Sequence, residues 1–546
     1  MEREQKRKDN GFLVQGMILA VAGIITRLIG IAYRIPVTNI IGTEGQGFYS
    51  CAFSIYNIAL LLTSYSLPLA VSKLVSARTS KGEYKNAMRI FKGALMFAFV
   101  AGGIVALVVF ICGDFIAKNF MSLELSAYAL KVLAPGLLIV AVMGVIRGYF
   151  QGLGSMVPTA FSQIIEQIIN AIVSIIGASY LFEMGKKAAE AKNNELLPYA
   201  YGAAGGTLGT VSGALFGLIF LLVLLKAYSP IIKRKMQRES RHAVESYSEI
   251  YHTLFLTIAP VLLSTAIYNI NDTIDIGLFS NIMAVQGHTE QDISDLLGRL
   301  SGHYNVLIHI PLAVANALGA SLIPSLTAAV ATGDKEKIHG KIQMVIRFSM
   351  LIAIPSFVGF MVLGKPILSL LFSDNVDVSA RMLLVGAITV VFYCLSTITN
   401  SILQGLNKMT TPVKHGAMSL GIHLIAVFVF LVFFKLGIYA LILGNIVFSL
   451  SMCILNTKAL KKYADYYQEI EKTFVVPLCA AVIMGVISGV FYLLVNLILP
   501  GKLTTILALL IAMVTYGIAL LKFGLMTPEE IIALPKGATL LSILQK

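Results

Sequence analysis

The sequence predicts an all-α, multi-pass membrane protein with about fourteen transmembrane helices. Three observations predict it: the composition, the length of the apolar blocks and the placement of basic residues between them. Of 546 residues, 57% are hydrophobic and 13% charged, with a mean hydropathy of +0.82, whereas an ordinary soluble chain carries about 25% charged residues. So few charges cannot cover a surface that faces water. The apolar residues instead form repeated blocks long enough to cross roughly 30 Å of hydrocarbon, separated by short polar segments.

Taken in order, the blocks place helices at 12 to 34, 47 to 72, 89 to 112, 125 to 148, 159 to 182 and 199 to 225. A basic linker follows, and a second series runs at 252 to 280, 303 to 327, 343 to 364, 378 to 402, 413 to 434 and 437 to 456, with two further helices at 474 to 498 and 504 to 522. The first block follows a basic start (Arg3, Lys6, Arg7, Lys8) and contains Ala20-Val21-Ala22, the pattern of a cleavable secretory signal. Its apolar stretch continues to about Tyr33, however, which is spanning length, so this block is expected to remain as the first helix.

Alternate loops differ in charge. One set holds Lys73, Arg78, Lys81 and Lys85, then Lys226, Lys233, Arg234, Lys235, Arg238 and Arg241, then Lys335, Lys337 and Lys341, then Lys458, Lys461 and Lys462. Basic residues in short loops stay on the cytoplasmic side, so this set and both termini are expected to be cytoplasmic. The other set is balanced by acids, as in the 183 to 198 loop, where Lys186, Lys187 and Lys192 sit among Glu183, Glu190 and Glu195. The net charge of +14 then follows from topology and from attraction to the anionic inner leaflet, and calls for no nucleic-acid partner.

An internal repeat divides the chain. Gln151-Gly152-Leu153-Gly154-Ser155-Met156-Val157-Pro158-Thr159 recurs, with one residue inserted, as Gln404-Gly405-Leu406-Asn407-Lys408-Met409-Thr410-Thr411-Pro412-Val413. Each copy lies in the tight turn between the fourth and fifth helix of its series. Six helices is an even number, so both halves enter the membrane from the same side and form parallel repeats, an arrangement suited to two bundles rocking about a central cavity. The expected organisation is a first six-helix lobe at 1–225, a basic linker at 226–251, a second six-helix lobe at 252–456, and two additional helices with a cytoplasmic tail at 457–546.

Several chemistries fall away. Cys51, Cys112, Cys394, Cys453 and Cys479 lie in or beside apolar blocks with no CxxC spacing, and the eight histidines form no HExxH or similar cluster, so neither disulfides nor a metal site is expected. Gly205, Gly209, Gly213 and Gly217 recur every fourth residue with no preceding strand, a pattern of close helix packing rather than a phosphate loop.

Thr26-Arg27-Leu28-Ile29-Gly30 leading to Ile41-Gly42-Thr43-Glu44-Gly45-Gln46-Gly47, the paired QG turn, Leu67-Pro68-Leu69-Ala70-Val71-Ser72-Lys73, Arg147-Gly148-Tyr149-Phe150-Gln151-Gly152 and Glu166-Gln167 carry a family likeness. With them the chain resembles the polysaccharide-transporter branch of the multidrug/oligosaccharidyl-lipid/polysaccharide (MOP) exporter superfamily, in the group of the stage V sporulation protein B and Gram-positive lipid II flippases. The resemblance implies a flippase in the bacterial cell membrane that moves undecaprenyl-pyrophosphate-linked oligosaccharide, lipid II or a related precursor, from the inner to the outer leaflet by alternating access. It also implies a cationic cavity between two lobes for the pyrophosphate and a groove for the lipid tail beside the last two helices. No cofactor is implied beyond a coupling cation of unspecified identity.

Arg27 and Arg34 stand seven residues apart on the first helix and share one face. A guanidinium near mid-membrane disfavours insertion by about 2.5 to 3.5 kcal/mol, so it requires a partner or a wet cavity, and its planar fork suits phosphate. For Arg34 the plain alternative is snorkelling to the interface. The seventh helix supplies Asn271, Asp272 and Asp275, with the two acids placed one turn apart on a common face, where they would balance the arginines or bind the coupling cation. Arg147 and Glu166 flank the QG turn, as a structural elbow pair or as a gate. Arg299 and His309 flank and enter the eighth helix, where the resemblance places basic substrate-binding residues, although Asn305-Val306 stands where an arginine is expected.

Two other functions compete. A cation-coupled multidrug exporter of the same superfamily handles cationic cargo, which the arginines of the first helix oppose. A membrane enzyme acting on lipid-linked sugars needs a large outer loop or clustered acids for acid/base work, and the loop around 281 to 302 has neither.

Overall fold

The computed structural model describes residues 2–64, 66–239 and 244–524. Arg241 of the basic linker and the expected tail beyond residue 524 lie outside them. Among the described residues the secondary structure is helical, with no strand. The helices are α1 (Glu2–Thr63), α2 (Leu67–Thr79), α3 (Tyr84–Met121), α4 (Ala127–Gly152), α5 (Val157–Lys192), α6 (Leu197–Gln237), α7 (Tyr247–Asn269), α8 (Asn271–Val285) and α9 (Glu290–Gly298). After them come α10 (Asn305–Thr332), α11 (Lys335–Leu371), α12 (Asp377–Gly386), α13 (Thr389–Gly405), α14 (Thr410–Val432), α15 (Tyr439–Ala464), α16 (Val476–Val495) and α17 (Gly501–Lys522).

Local sequence explains many of the ends. Pro68, Pro158, Pro198 and Pro477 lie in the first turns of α2, α5, α6 and α16, where no amide donor is needed. Ser122, Asn193 and Gly333 close α3, α5 and α10 in the left-handed conformation. Thr289 and Asp292 form a capping box that starts α9.

Eleven of these helices are long and apolar enough to cross a membrane, or twelve if α12 and α13, bent by 49° at their junction, are one span. Among the described residues this does not confirm the expected count of about fourteen, and the helices differ from the expected ones in two places. The first two expected helices run together in α1, interrupted at Gly42, whose φ of 70° and ψ of 179° are non-helical. The expected helix at 252 to 280 is broken at Ile270 into α7 and α8.

The chain forms two compact units, residues 1–302 with 430–438, and residues 303–429 with 439–546. In the first unit α2, α3, α4 and α6 share a core that includes Leu67, Ile90, Phe91, Val145, Tyr149 and Leu221, and Ile250, Leu254 and Ile258 of α7 join it. The most intimate pairing is α5 against α6. A Cβ on Gly205 would collide with the Gly177 carbonyl, one on Gly209 with Ser174, and one on Gly213 with the Glu166 carbonyl, so the four-residue glycine spacing lets the two backbones touch. In the second unit α10 packs on α13 and α13 on α15, while α16 and α17 pair with each other and lie on α11. Gly485 of α16 admits Val358, and Tyr516 of α17 donates to the Leu351 carbonyl at 3.1 Å.

The QG repeat is a repeat of backbone conformation. In the first copy Leu153, Gly154 and Ser155 donate to Tyr149, Gln151 and Phe150 at 3.0, 2.9 and 3.0 Å, and in the second Leu406, Asn407 and Lys408 donate to Ile402, Gln404 and Leu403 at 2.9, 3.0 and 2.9 Å. The fourth residue is left-handed in both, Gly154 at φ 87° and Asn407 at φ 61°, which glycine and asparagine tolerate best. Each turn is also tied to an earlier helix of its own unit by a threonine hydroxyl: Thr79 to the Gly152 carbonyl at 3.4 Å, and Thr327 to the Gly405 carbonyl at 3.1 Å.

Gly205→Ala is expected to destabilise the protein by about 1–3 kcal/mol through overpacking, whereas Gly103→Ala, whose Cβ meets nothing within 4 Å, is expected to match wild type or exceed it. Thermal exposure of the buried thiols Cys51, Cys394 and Cys453 to a thiol-reactive dye reads both.

Candidate functional site

The first limb of α1 has two unlike faces. Tyr33 is buried and accepts a hydrogen bond from the Asn170 amide of α5 at 3.3 Å, and Asn170 in turn accepts from Ser174, whose hydroxyl lies 2.8 Å from the Gly206 carbonyl of α6. This ladder fixes the rotation of α1. Arg34, the next residue, and Arg27, two turns earlier, are consequently exposed. Among the described residues no carboxylate forms an ion pair with either. The stripe Ile18, Val21, Ala22 and Ile25, on the other side of the helix from Arg27, forms one wall of an apolar groove of about 360 Å³, with Ala160, Phe161 and Ile164 of α5 as the other.

The second limb of α1 lies against α9, and Gly302 of the six-residue π-helical turn that follows it, Arg299–Tyr304, is set against Gln46 and Thr38. Gly47 faces the Ser294 backbone and Gly298 the Thr43 backbone so closely that a Cβ on either would overlap the facing carbonyl. The Thr43 hydroxyl donates to Asp295, whose second oxygen accepts Arg299 Nε at 2.8 Å. Arg299 is thus engaged by an acid one turn earlier on its own helix, which the sequence reading did not foresee. His309 is exposed on α10.

The acids of the seventh block do not share an environment. Three helical residues separate Asp272 from Asp275 by about 60° of rotation, and the contact of α8 with α1, made by Thr273 donating to the Ser54 carbonyl at 3.0 Å, covers one and not the other. Asp275 is 5% exposed and Asn271 8%, while Asp272 is exposed. The common face expected for the two aspartates is therefore corrected: Asp275 belongs with Asn271, whose amide nitrogen lies 3.5 Å from its carboxylate. The Asn271 carbonyl oxygen is buried with no hydrogen-bond partner among the described residues. A carboxylate and an orphaned amide oxygen are the donor chemistry that suits a small cation.

Arg147 and Glu166 meet at 2.7 Å across the QG turn, and Arg147 Nε donates to Ser162 at 2.9 Å. The residue four places before the second QG is Asn400, which joins Asn456 at 2.8 Å, and Asn456 lies 2.8 Å from His415 Nδ1. Each elbow carries a polar clasp between neighbouring helices, charged in the first unit and neutral in the second.

Comparison with known proteins agrees with this architecture. Residues 13–330 match the family described as polysaccharide biosynthesis protein, and residues 304–429 match the MatE family. The lipid II flippase MurJ of Bacillus subtilis (strain 168) is 28% identical over 491 residues, covering 86% of each chain. The stage V sporulation protein B of the same organism is 24% identical over 480 residues, covering 88% of this chain and 89% of that one. Among solved structures, the lipid II flippase MurJ in an inward closed conformation superposes with a TM-score of 0.67 at 13% identity, covering 93% of this chain and 98% of the other, which is a likeness of fold.

Arg147→Ala strands the partly buried Glu166 carboxylate, a loss of about 2 kcal/mol. The expected result is a lower melting temperature in detergent that the double variant Arg147→Ala/Glu166→Ala partly restores, as a double-mutant cycle on thermal unfolding would measure.

Proposed function

This chain belongs to the polysaccharide biosynthesis protein family, within the MOP exporter superfamily, and on that premise we propose that it carries a polyprenyl-pyrophosphate-linked oligosaccharide, lipid II or a related cell-wall or polysaccharide precursor, from the inner to the outer leaflet by alternating access. It is a multi-pass membrane transporter rather than an enzyme. In the proposed orientation the basic loops and both termini face the cytoplasm of a bacterial cell.

The observation that carries the reading is the exposed pair Arg27 and Arg34. An uncompensated guanidinium at this depth is unfavourable unless an anion or water attends it, and a pyrophosphate offers the paired oxygens its fork accepts. The same helix lines an apolar groove on its other side, so the two chemistries of a lipid-linked anion, a charged head and a hydrocarbon chain, both find complementary surface on α1. A cationic drug would meet the arginine stripe as a repulsion.

Asn271 and Asp275 are the residues we assign to a coupling cation. Their burial supports that role over one for Asp272, since a carboxylate that must lose water gains most from an ion that replaces it.

Liposomes containing the purified protein and lipid II, or a different polyprenyl-linked glycan, are expected to expose the cargo on the far leaflet, and translocation of neither overturns the reading. Arg27→Ala or Arg34→Ala is expected to slow this at least about tenfold, the loss of one charge-assisted hydrogen bond, at normal membrane insertion. Under imposed sodium or proton gradients, Asp275→Asn is expected to abolish the dependence of the rate on the gradient while Asp272→Asn preserves it.

A further inference from the structure

His303 is fully buried within the π-helical turn Arg299–Tyr304, at the residue where the chain passes from the first compact unit to the second. Its ring lies on Phe372, with centroids 4.0 Å apart. Nδ1 is 2.8 Å from the hydroxyl of Ser379, itself fully buried on α12, and Nε2 is 3.5 Å from the Asp374 carboxylate in the connection between α11 and α12. The Asp374 side chain is 32% exposed. We propose that His303, Asp374 and Ser379 form a proton-binding site, with Asp374 as its opening to water and His303 as the group that holds the proton.

The arrangement suits that task in each state. With the imidazole neutral, Nδ1 and the Ser379 hydroxyl share one hydrogen, and Nε2 stands beyond the roughly 2.7–3.2 Å of a normal hydrogen bond to Asp374. Protonation turns both ring nitrogens into donors. Ser379 accepts from Nδ1, Asp374 is drawn in to accept from Nε2, and the carboxylate offsets the cost of a buried cation. The closed pair is therefore the protonated state, and it opens when the proton leaves.

Asp374 is a carboxylate placed 3.5 Å from the ring. On α12, Asp377 is held by Lys365 of α11 at 2.7 Å, and Arg381 follows one turn later. On the histidine's own helix Arg299 is bonded to Asp295. α13 contains no charged residue, and α15 carries Lys458, Lys461 and Lys462 at its opposite end.

The location gives the proton mechanical purchase. π-Helical turns concentrate at functional sites because they hold one residue more than an α-turn and are readily re-registered. Here the next residue, Tyr304, places its hydroxyl 3.1 Å from the Gly386 carbonyl and 3.4 Å from the Thr389 hydroxyl, gripping both sides of the 49° bend between α12 and α13. Tightening His303 onto α12 therefore acts on the π turn and the bend together. In the orientation of the proposed function, this end of α10 lies away from the basic loops and samples the pH outside the cell.

The test uses the full chain, labelled with 13C-histidine, in lipid bilayers without cargo and read by solid-state NMR. His303→Gln identifies the His303 signal, and where that variant fails to insert, the ring-current change in Phe372→Leu identifies it instead. The expected result is a titration between about pH 5 and 8, with a midpoint about one unit or more lower in Asp374→Asn. A His303 signal that does not titrate in that window, or a midpoint unchanged in Asp374→Asn, overturns the proposal. No cargo enters this measurement, so an inactive flipping assay bears on the proposed function alone.

Discussion

Lipid tails are as apolar as leucine, so helices within a bilayer have no hydrophobic reason to pair, and they associate where their backbones approach closely enough for dispersion and polar contacts to act. This chain meets that constraint with glycine. Gly177 and Gly205 place α5 and α6 in backbone contact, Gly47 and Gly298 do the same for α1 and α9, and Gly148 and Gly152 seat α4 against Pro68 and Val75 of α2. The polar ladders lie beside these approaches. Ser174 reaches the Gly206 carbonyl because Gly209 leaves it room, and through Asn170 that ladder sets the rotation of α1 and hence the exposure of Arg27 and Arg34.

Features fixed by short stretches of chain were legible in the sequence. The QG turn is one, because its hydrogen bonds and left-handed fourth residue depend on a handful of neighbours, and the same residues in both halves produced the same turn. The glycine spacing of α6 is another, since periodicity alone assigns it to a packing face. Block length was less informative about breaks. Gly42 turns the backbone out of helical geometry inside α1, and the break at Ile270 falls within a single expected block, so neither is marked by where an apolar stretch begins or ends.

Burial and pairing across long separations were not legible. Helical spacing put Asp272 and Asp275 together, yet the decision between them lay with Ser54 on α1, far away in the chain. Arg299 read as a substrate-binding residue, and its bond to Asp295 one turn earlier was not legible because that stretch reads as a loop in the sequence. His303 gave no signal, since its neighbours Phe372, Asp374 and Ser379 come from the end of α11, the connection after it and α12, about seventy residues further along the chain.

The matched turns after α4 and α13 also bear on how the protein is made. Each closes with bonds between residues no more than about six apart, so neither requires any other part of the molecule in order to form. Once the start of α5 or α14 has been synthesised, the elbow has every group it needs, and the helix pair can enter the bilayer as a preformed hairpin with its connecting carbonyls already satisfied. The glycine in one copy and asparagine in the other are then requirements of biogenesis as much as of the finished fold.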